Sequence, residues 1–290
     1  MNRSEVSFSS ARTTRLLRSL LLYLLLVVIT LVALTPTLWM LSTSFKKQHE
    51  IFQTEVKWIP RELTAENYIK SFELFPLWMW FRNSIFVAVL TLVLTLACDI
   101  MAAYAFSKLN FKGRNVLFAV VVASIMLPRE AAIVPMYRLI RNLGMMDSWA
   151  AIILPQAAEA IGVFLLAQFF RNVPNELSES AALDGCGHWR IMWRIVTPLS
   201  IPILSVLIIL TLVNSWNNFL WPLIVAASEA SVTLPVGLAS VMSGSSEAAE
   251  ARQFGLLMAT AFISCLPTIA VFLVLQKQFI QSVTMTGLKY

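Results

Sequence analysis

The feature that most constrains this chain is the apolar run at residues 19–42, SLLLYLLLVVITLVALTPTLWMLS, which holds no charged side chain. About 20 apolar residues in a helix are enough to cross the hydrocarbon core of a bilayer. Runs of this kind recur along the chain. Hydrophobic residues make up 58% of its 290 positions and charged residues 13%, against about 45–50% and about 25% in soluble domains. An aqueous core cannot hide that much apolar surface, so the fold class is that of a polytopic membrane protein. Arg3, Arg12, Arg15 and Arg18 precede the run as they would in a secretory leader. The run is much longer than the roughly 7–15 apolar residues of a leader, and no A-x-A site follows it. It is therefore read as a first span.

Further spans are expected at residues 83–107, 116–137, 149–170, 199–226 and 254–276. The expected architecture is thus all-α, with about six transmembrane helices over residues 19–276 and short tails at 1–18 and 277–290. Six spans place both termini on one side. The tails, the turn with Lys108, Lys112 and Arg114, and the segment 171–197 together carry twelve Lys and Arg against four acids, whereas the opposite segments balance nine against nine. Short basic loops stay in the cytoplasm, so both termini are expected there and residues 227–253 form an outward loop. No helix interrupted by Gly or Pro in matching halves, and no internal repeat, is evident.

The formal net charge of +6 is spread between apolar runs rather than clustered, which argues against a nucleic-acid partner. Cys98, Cys186 and Cys265 show no paired or metal-ligand spacing, and His49 and His188 stand alone, so neither a disulfide framework nor a metal site is expected. The chain contains no G-x-x-x-x-G-K-[ST] and no nucleophile–base–acid constellation. It is not expected to be an enzyme, and it has no cofactor of its own.

The segment 171–198 is the most informative stretch. Pro174 suits a helix start, with Glu176 and Glu179 favouring its positive end. Gly185 can take a positive φ and so stop that helix after Asp184. From Gly187 the chain resumes with Trp189, Met192, Trp193 and Val196 on one apolar stripe. Two short helices at a bend, tied to two spans, form a lever on the cytoplasmic side.

The order Glu179-Ser180-Ala181, three residues, Gly185, nine residues, Ile195, then Pro198 closely resembles the EAA loop of permease subunits of type I ABC importers. Ser180 stands where that family usually has Ala, and Thr197 where it has Leu. WNNFLWPLIV at 216–225, VPMYRLIRNLGMMDSWAAIILP at 134–155, AYAFSKLNFKGR at 103–114 and FIQSVTMTGLK at 279–289 look like the carbohydrate-uptake branch. Within it, the likeness is to the smaller, six-helix permease of the maltose type.

The resemblance implies a type I ABC importer permease fold in the bacterial inner membrane and a partnership with a second permease, two ATPase subunits and an extracytoplasmic binding protein. It implies that ATP and Mg are bound by the ATPase chains. It makes Glu179, Ser180, Ala181, Asp184 and Gly185 the coupling positions. Pro235, Gly237 and Leu238 become contacts for the binding protein, and Thr286, Gly287 and Lys289 become a tail reaching the ATPase pair. The cargo it implies is a sugar or oligosaccharide, most of whose contacts the larger permease supplies; glycerol phosphate, an amino acid or a peptide is the alternative.

Ionisable side chains at membrane depth mark either a pathway or a pair. Asp99, Arg129, Glu130 and Glu159 are such residues: some of them line a path, or Arg129 pairs with Asp99 or Glu159 to hold helices together. Asn214, Trp216, Asn217, Asn218 and Trp221 mix amides with aromatic faces, as sugar sites do, although amides also bind spanning helices to each other. A stand-alone secondary carrier and an intramembrane enzyme using the four charges are the rival readings.

Overall fold

The computed structural model describes residues 3–53, 57–242 and 253–287. The described residues form helices and no strand. Three helices are long and apolar enough to span continuously, at Leu17–Ser44, Leu77–Lys108 and Phe254–Val274, and three bent pairs bring the number of spans to six if each pair is one span.

Packing divides the chain into two compact units. The first comprises Met1–Ser71 and Ala249–Ile263 and is dominated by α1 (Arg3–Ser44). Leu20, Val32 and most of their apolar neighbours on α1 are exposed, as they must be on a helix surrounded by hydrocarbon rather than water. Thr30 and Thr35 donate their hydroxyls back to the carbonyls of Leu26 and Leu31, which satisfies both hydroxyls within the helix. The end of α1 is tied by Asn67 on α2 (Glu66–Leu74), whose amide donates to the carbonyls of Ser44 and Lys46 at 2.8 and 2.9 Å.

The second unit comprises Phe72–Ala248 and Ser264–Tyr290. Its longest uninterrupted element is α3 (Leu77–Lys108), which starts six residues ahead of the expected second span. The expected third span is not one helix. α4 (Arg114–Ser124) ends ahead of Pro128, a short 3-10 turn follows, and α5 (Ile133–Asn142) leaves at a bend of 99° for the pair. The fourth is interrupted too: α6 (Trp149–Ile153) and its 3-10 extension to Gln156 meet α7 (Ala160–Asn172) at 42°. A proline removes a backbone donor and disfavours helix in the residue before it; Pro128 and Pro155 mark the two breaks.

The lever forms as two arms, α8 (Asn175–Leu183) and α9 (His188–Leu199), and α9 then turns by 84° into α10 (Ile201–Trp216). The helix is lost at residues 217–219 before α11 (Leu220–Val225), so the expected fifth span is also two pieces. α12 (Leu234–Met242) and α13 (Phe254–Gly287) complete the chain.

One apolar cluster joins Ile100, Ala103 and Tyr104 of α3, Leu166, Ala167 and Phe170 of α7, Ile191, Met192 and Val196 of α9, and Leu204 and Leu207 of α10. The stripe on α9 differs from the expected one, because Trp189 is exposed and Ile191 is buried in its place. Residues 192–196 form a π-turn. That wider turn puts positions five apart, such as Ile191 and Val196, on one face, where a pure α-helix would align positions three and four apart. Phe170 sits at the centre of the cluster, fully buried. Phe170→Ala is expected to destabilise the chain by about 3–5 kcal/mol, read as a lowered melting temperature of the detergent-solubilised protein. A melting temperature equal to that of the parent would contradict this packing.

Candidate functional site

Three of the interruptions in the second unit line the same cavity, about 700 Å³ in volume; the 84° turn between α9 and α10 does not. The bend after α4 contributes Arg129 and Glu130, the break between α6 and α7 contributes Gln156 and Glu159, and the break after α10 contributes Asn214, Asn218 and Trp221. Three of the four intramembrane charges, Arg129, Glu130 and Glu159, therefore line one cavity with Asn214, Asn218 and Trp221, which the sequence presents as a separate feature; Asp99 does not line it. Trp216 and Asn217 do not line this cavity. Trp216 is buried on another side, where its indole donates to the Ser264 carbonyl at 3.1 Å and packs edge-on against Phe81.

Of the two carboxylates open to Arg129, the structure selects Glu159, with Nη2 to Oε1 at 2.7 Å. Asp99 is occupied elsewhere. It is 1% exposed, and its Oδ1 accepts the backbone N–H of Glu159 at 3.0 Å. One turn earlier on α3, the Thr95 hydroxyl donates to the Gln156 carbonyl at 2.7 Å. A broken helix leaves backbone donors on one side of the gap and acceptors on the other, and at membrane depth each unsatisfied group is costly. Thr95 and Asp99, four residues apart on one face of α3, meet one of each across the gap. Gly162 lets this happen, since a Cβ there would overlap the Asp99 carboxylate. Thr95, Gln156 and Gly162 were not among the expected site residues. The Thr-x-x-x-Asp spacing inside an apolar run was the signal available.

The lever's bend has the chemistry its sequence requires. Gly185 has φ +82°, its N–H donates to the Ala182 carbonyl at 3.0 Å, and the Cys186 N–H reaches the Ala181 carbonyl at 2.9 Å. This is the paired closure of a helix on a left-handed residue. Ala181 packs against the apolar cluster, while Glu179, Ser180, Asp184 and Gly185 are exposed. Among the described residues no ion pair engages Glu179 or Asp184. Two apolar side chains stand out beside them, Leu183 at 90% and Trp189 at 65% exposed, and the expected set did not include either.

Both arms are also bonded to the end of α3. Lys108 donates to the Val173 carbonyl and the Asn175 side chain at 2.6 and 2.7 Å, holding the start of α8. Tyr104 shares a 3.2 Å hydrogen bond with His188 at the start of α9.

At the other end of α3, Gly237 is buried flat against the Trp80 ring, and Pro235 and Leu238 are half-buried. The rest of the expected outward loop, residues 243–252, lies outside the described residues. Thr286 and Gly287 fall in the last turn of α13, their side chains outside the description, and Lys289 lies outside the described residues. Among the described residues no group of three His, Cys, Asp or Glu could hold a metal ion.

An all-α chain with interrupted spans around a cavity lined by charged and amide side chains, and an EAA-type lever packed against α3, α7 and α10, has the make-up of an importer's permease subunit. The family described as the binding-protein-dependent transport system inner membrane component matches residues 99–285, and the chain belongs to it. Over 271 residues it is 35% identical to the arabinooligosaccharides transport system permease protein AraQ of Bacillus subtilis (strain 168), covering 92% of this chain and 95% of AraQ. It is 31% identical to the sulfoquinovosyl glycerol transport system permease protein SmoH of Agrobacterium fabrum, covering 88% and 89% of the two chains. In fold it is similar to a chain from the crystal structure of a bacterial ABC transporter that imports the acidic polysaccharide alginate, with a TM-score of 0.80 at 24% identity over 96% of this chain and 98% of that one.

Gly162→Ala tests the staple across the break. Forcing a methyl group against Asp99 is expected to destabilise by about 1–3 kcal/mol, and adding Asp99→Ala is expected to cost less than the sum of the two single changes. Thermal melts of the three variants would read this out; strict additivity would mean that the two residues do not share one space.

Proposed function

We propose that this chain is one of two permease subunits of an importer for a sugar or oligosaccharide, and that residues 171–198 are its coupling lever. In this reading the exposed face carrying Glu179, Ser180, Leu183, Asp184 and Trp189 seats on an ATPase subunit that binds ATP and Mg. Two such ATPase subunits drive the pair of permeases. Both termini are cytoplasmic, and Thr286, Gly287 and Lys289 reach toward the ATPase pair. On the other side, residues 227–253, with Pro235, Gly237 and Leu238 in their stem, meet the cargo-loaded binding protein. ATP hydrolysis happens in the partner chains and none in this one.

The observation that carries the reading is the lever itself. One of its faces is built into the core through Ala181, Ile191 and Val196, while the other is exposed and carries acids that no ion pair engages among the described residues. Closing the ATPase pair would displace that face and, through the core, reopen the cavity toward the opposite side, a rigid-body switch. The cavity supports a hydroxyl-rich cargo, with side-chain amides from Asn214, Asn218 and Gln156 and an aromatic face from Trp221. Similarity to permeases named for arabinooligosaccharides and sulfoquinovosyl glycerol supports the same cargo class.

Gly185→Val places a β-branched residue at φ +82°, a strain of about 1–2 kcal/mol at the one point that sets the angle between the arms. Solute uptake by the reconstituted transporter is expected to be abolished while membrane insertion persists; normal uptake would overturn the coupling role. For the cargo, the binding protein is expected to take mono-, di- or oligosaccharides in a calorimetric screen. Binding of amino acids or peptides alone would overturn the sugar assignment.

A further inference from the structure

Asp147 lies in the connection between α5 and α6, at the same end of α3 as the stem of the outward segment. It is a non-glycine residue with φ +56°, a conformation kept only where the surroundings hold it. Its N–H donates to the Val225 carbonyl at 2.9 Å. Its carboxylate does more. Oδ1 accepts the N–H groups of Ala227 and Ser228, each at 2.9 Å, and also the hydroxyl of Ser231. Those donors, the Ser228 amide foremost, hold the carboxyl well below the usual carboxylate range. The side chain stays exposed to solvent, so the charge keeps its hydration while it organises the loop.

The chain that Asp147 gathers leads straight into the outward segment. Two residues of α3 take over where Asp147 leaves off: Asn83 donates to the Ala230 and Val232 carbonyls, both at 2.9 Å, and the Ser84 hydroxyl accepts the Leu234 N–H at 2.8 Å. Trp80 then backs Gly237. The anchors on α3 sit on a rigid helix, whereas the first anchor is a single acidic side chain on a turn.

We propose that Asp147 is the positioning residue of the outward segment, a charged staple that fixes residues 225–231 so that α12 meets the binding protein in one orientation. This rests on the reading that residues 227–253 contact that protein. The position requires both a left-handed backbone and a charged acceptor. Asn tolerates the backbone but offers a neutral oxygen; Gly tolerates it and offers none.

The test uses the complete transporter in vesicles, with uptake measured across a series of binding-protein concentrations. Asp147→Gly is expected to raise the concentration for half-maximal uptake about tenfold, with the maximal rate changed by less than about twofold, and Asp147→Asn is expected to fall between it and the parent. Hydrogen exchange of the Ala227 and Ser228 amides is expected to speed up at least about tenfold in Asp147→Gly. That measurement does not depend on what the segment touches. Unchanged exchange would overturn the staple even if uptake by the parent saturates with binding protein. Faster exchange with an unchanged half-maximal concentration would overturn the positioning role. A parent whose uptake ignores the binding protein would overturn the underlying reading and this proposal with it. A loss confined to maximal rate and melting temperature would mark Asp147 as merely structural.

Discussion

Hydrocarbon offers no partner to a free backbone group, and the second unit is arranged around that constraint. An unbroken helix satisfies itself. A broken one must find donors and acceptors in its neighbours or face a polar cavity. Both solutions occur here at the same place. The interruptions at residues 125–132, 157–159 and 217–219 all reach the cavity, and the middle one is closed by Thr95 and Asp99 from an adjacent helix. The cavity and the breaks are one feature, because backbone that leaves the helix at this depth is what lets Arg129 pair with Glu159 and lets Asn218 line the same space.

The chain's chemistry is largely distributed along α3. Lys108 and Tyr104 hold the two arms of the lever, Asp99 and Thr95 hold the break beside the cavity, and Ser84, Asn83 and Trp80 hold the stem that leads into α12. The first two groups are separated by about a turn and a half and the last two by about three turns along one continuous helix. α3 has no internal proline and no interruption over its 32 residues, whereas three of its neighbours are broken. Polar anchors at membrane depth confer register as well as stability. A slip of α3 by one turn would leave Asp99 without its donor and press its carboxylate away from the gap that Gly162 provides.

Features with local determinants were legible in the sequence. The lever follows from Pro174, the flanking acids and Gly185, and its turn forms with the positive φ that a glycine at that spacing implies. The long apolar helices at Leu17–Ser44 and Phe254–Val274 fall close to the expected first and sixth spans, and the helix at the second starts six residues earlier than expected. The bends were not legible, because proline alone does not decide them. Pro36 and Pro267 lie inside the continuous helices α1 and α13, while Pro128 and Pro155 accompany breaks. At Pro155 the freed groups find partners on α3, and at Pro128 the break faces the cavity, both of which are non-local facts. The same holds for Arg129: the sequence offered two carboxylates, and only the prior engagement of Asp99 with the Glu159 backbone decides between them. The shift of the lever's buried stripe from Trp189 to Ile191 comes from a π-turn that the apolar periodicity does not encode.

The placement of the lever's hydrogen bonds constrains how any displacement could travel. Lys108 and Tyr104 lie one turn apart at the end of α3, and each grips a different arm. Rotating α8 against α9 about Gly185 would stretch one of these contacts, while moving both arms together would preserve them and carry the end of α3 along. A left-handed glycine closed by two backbone hydrogen bonds resists the first motion, and the apolar cluster shared by α3, α7, α9 and α10 resists any sliding between the lever and the bundle. The remaining low-cost motion is the lever and the near end of α3 moving as one piece. Because α3 is unbroken, that piece includes Thr95 and Asp99, which close the gap at the cavity wall.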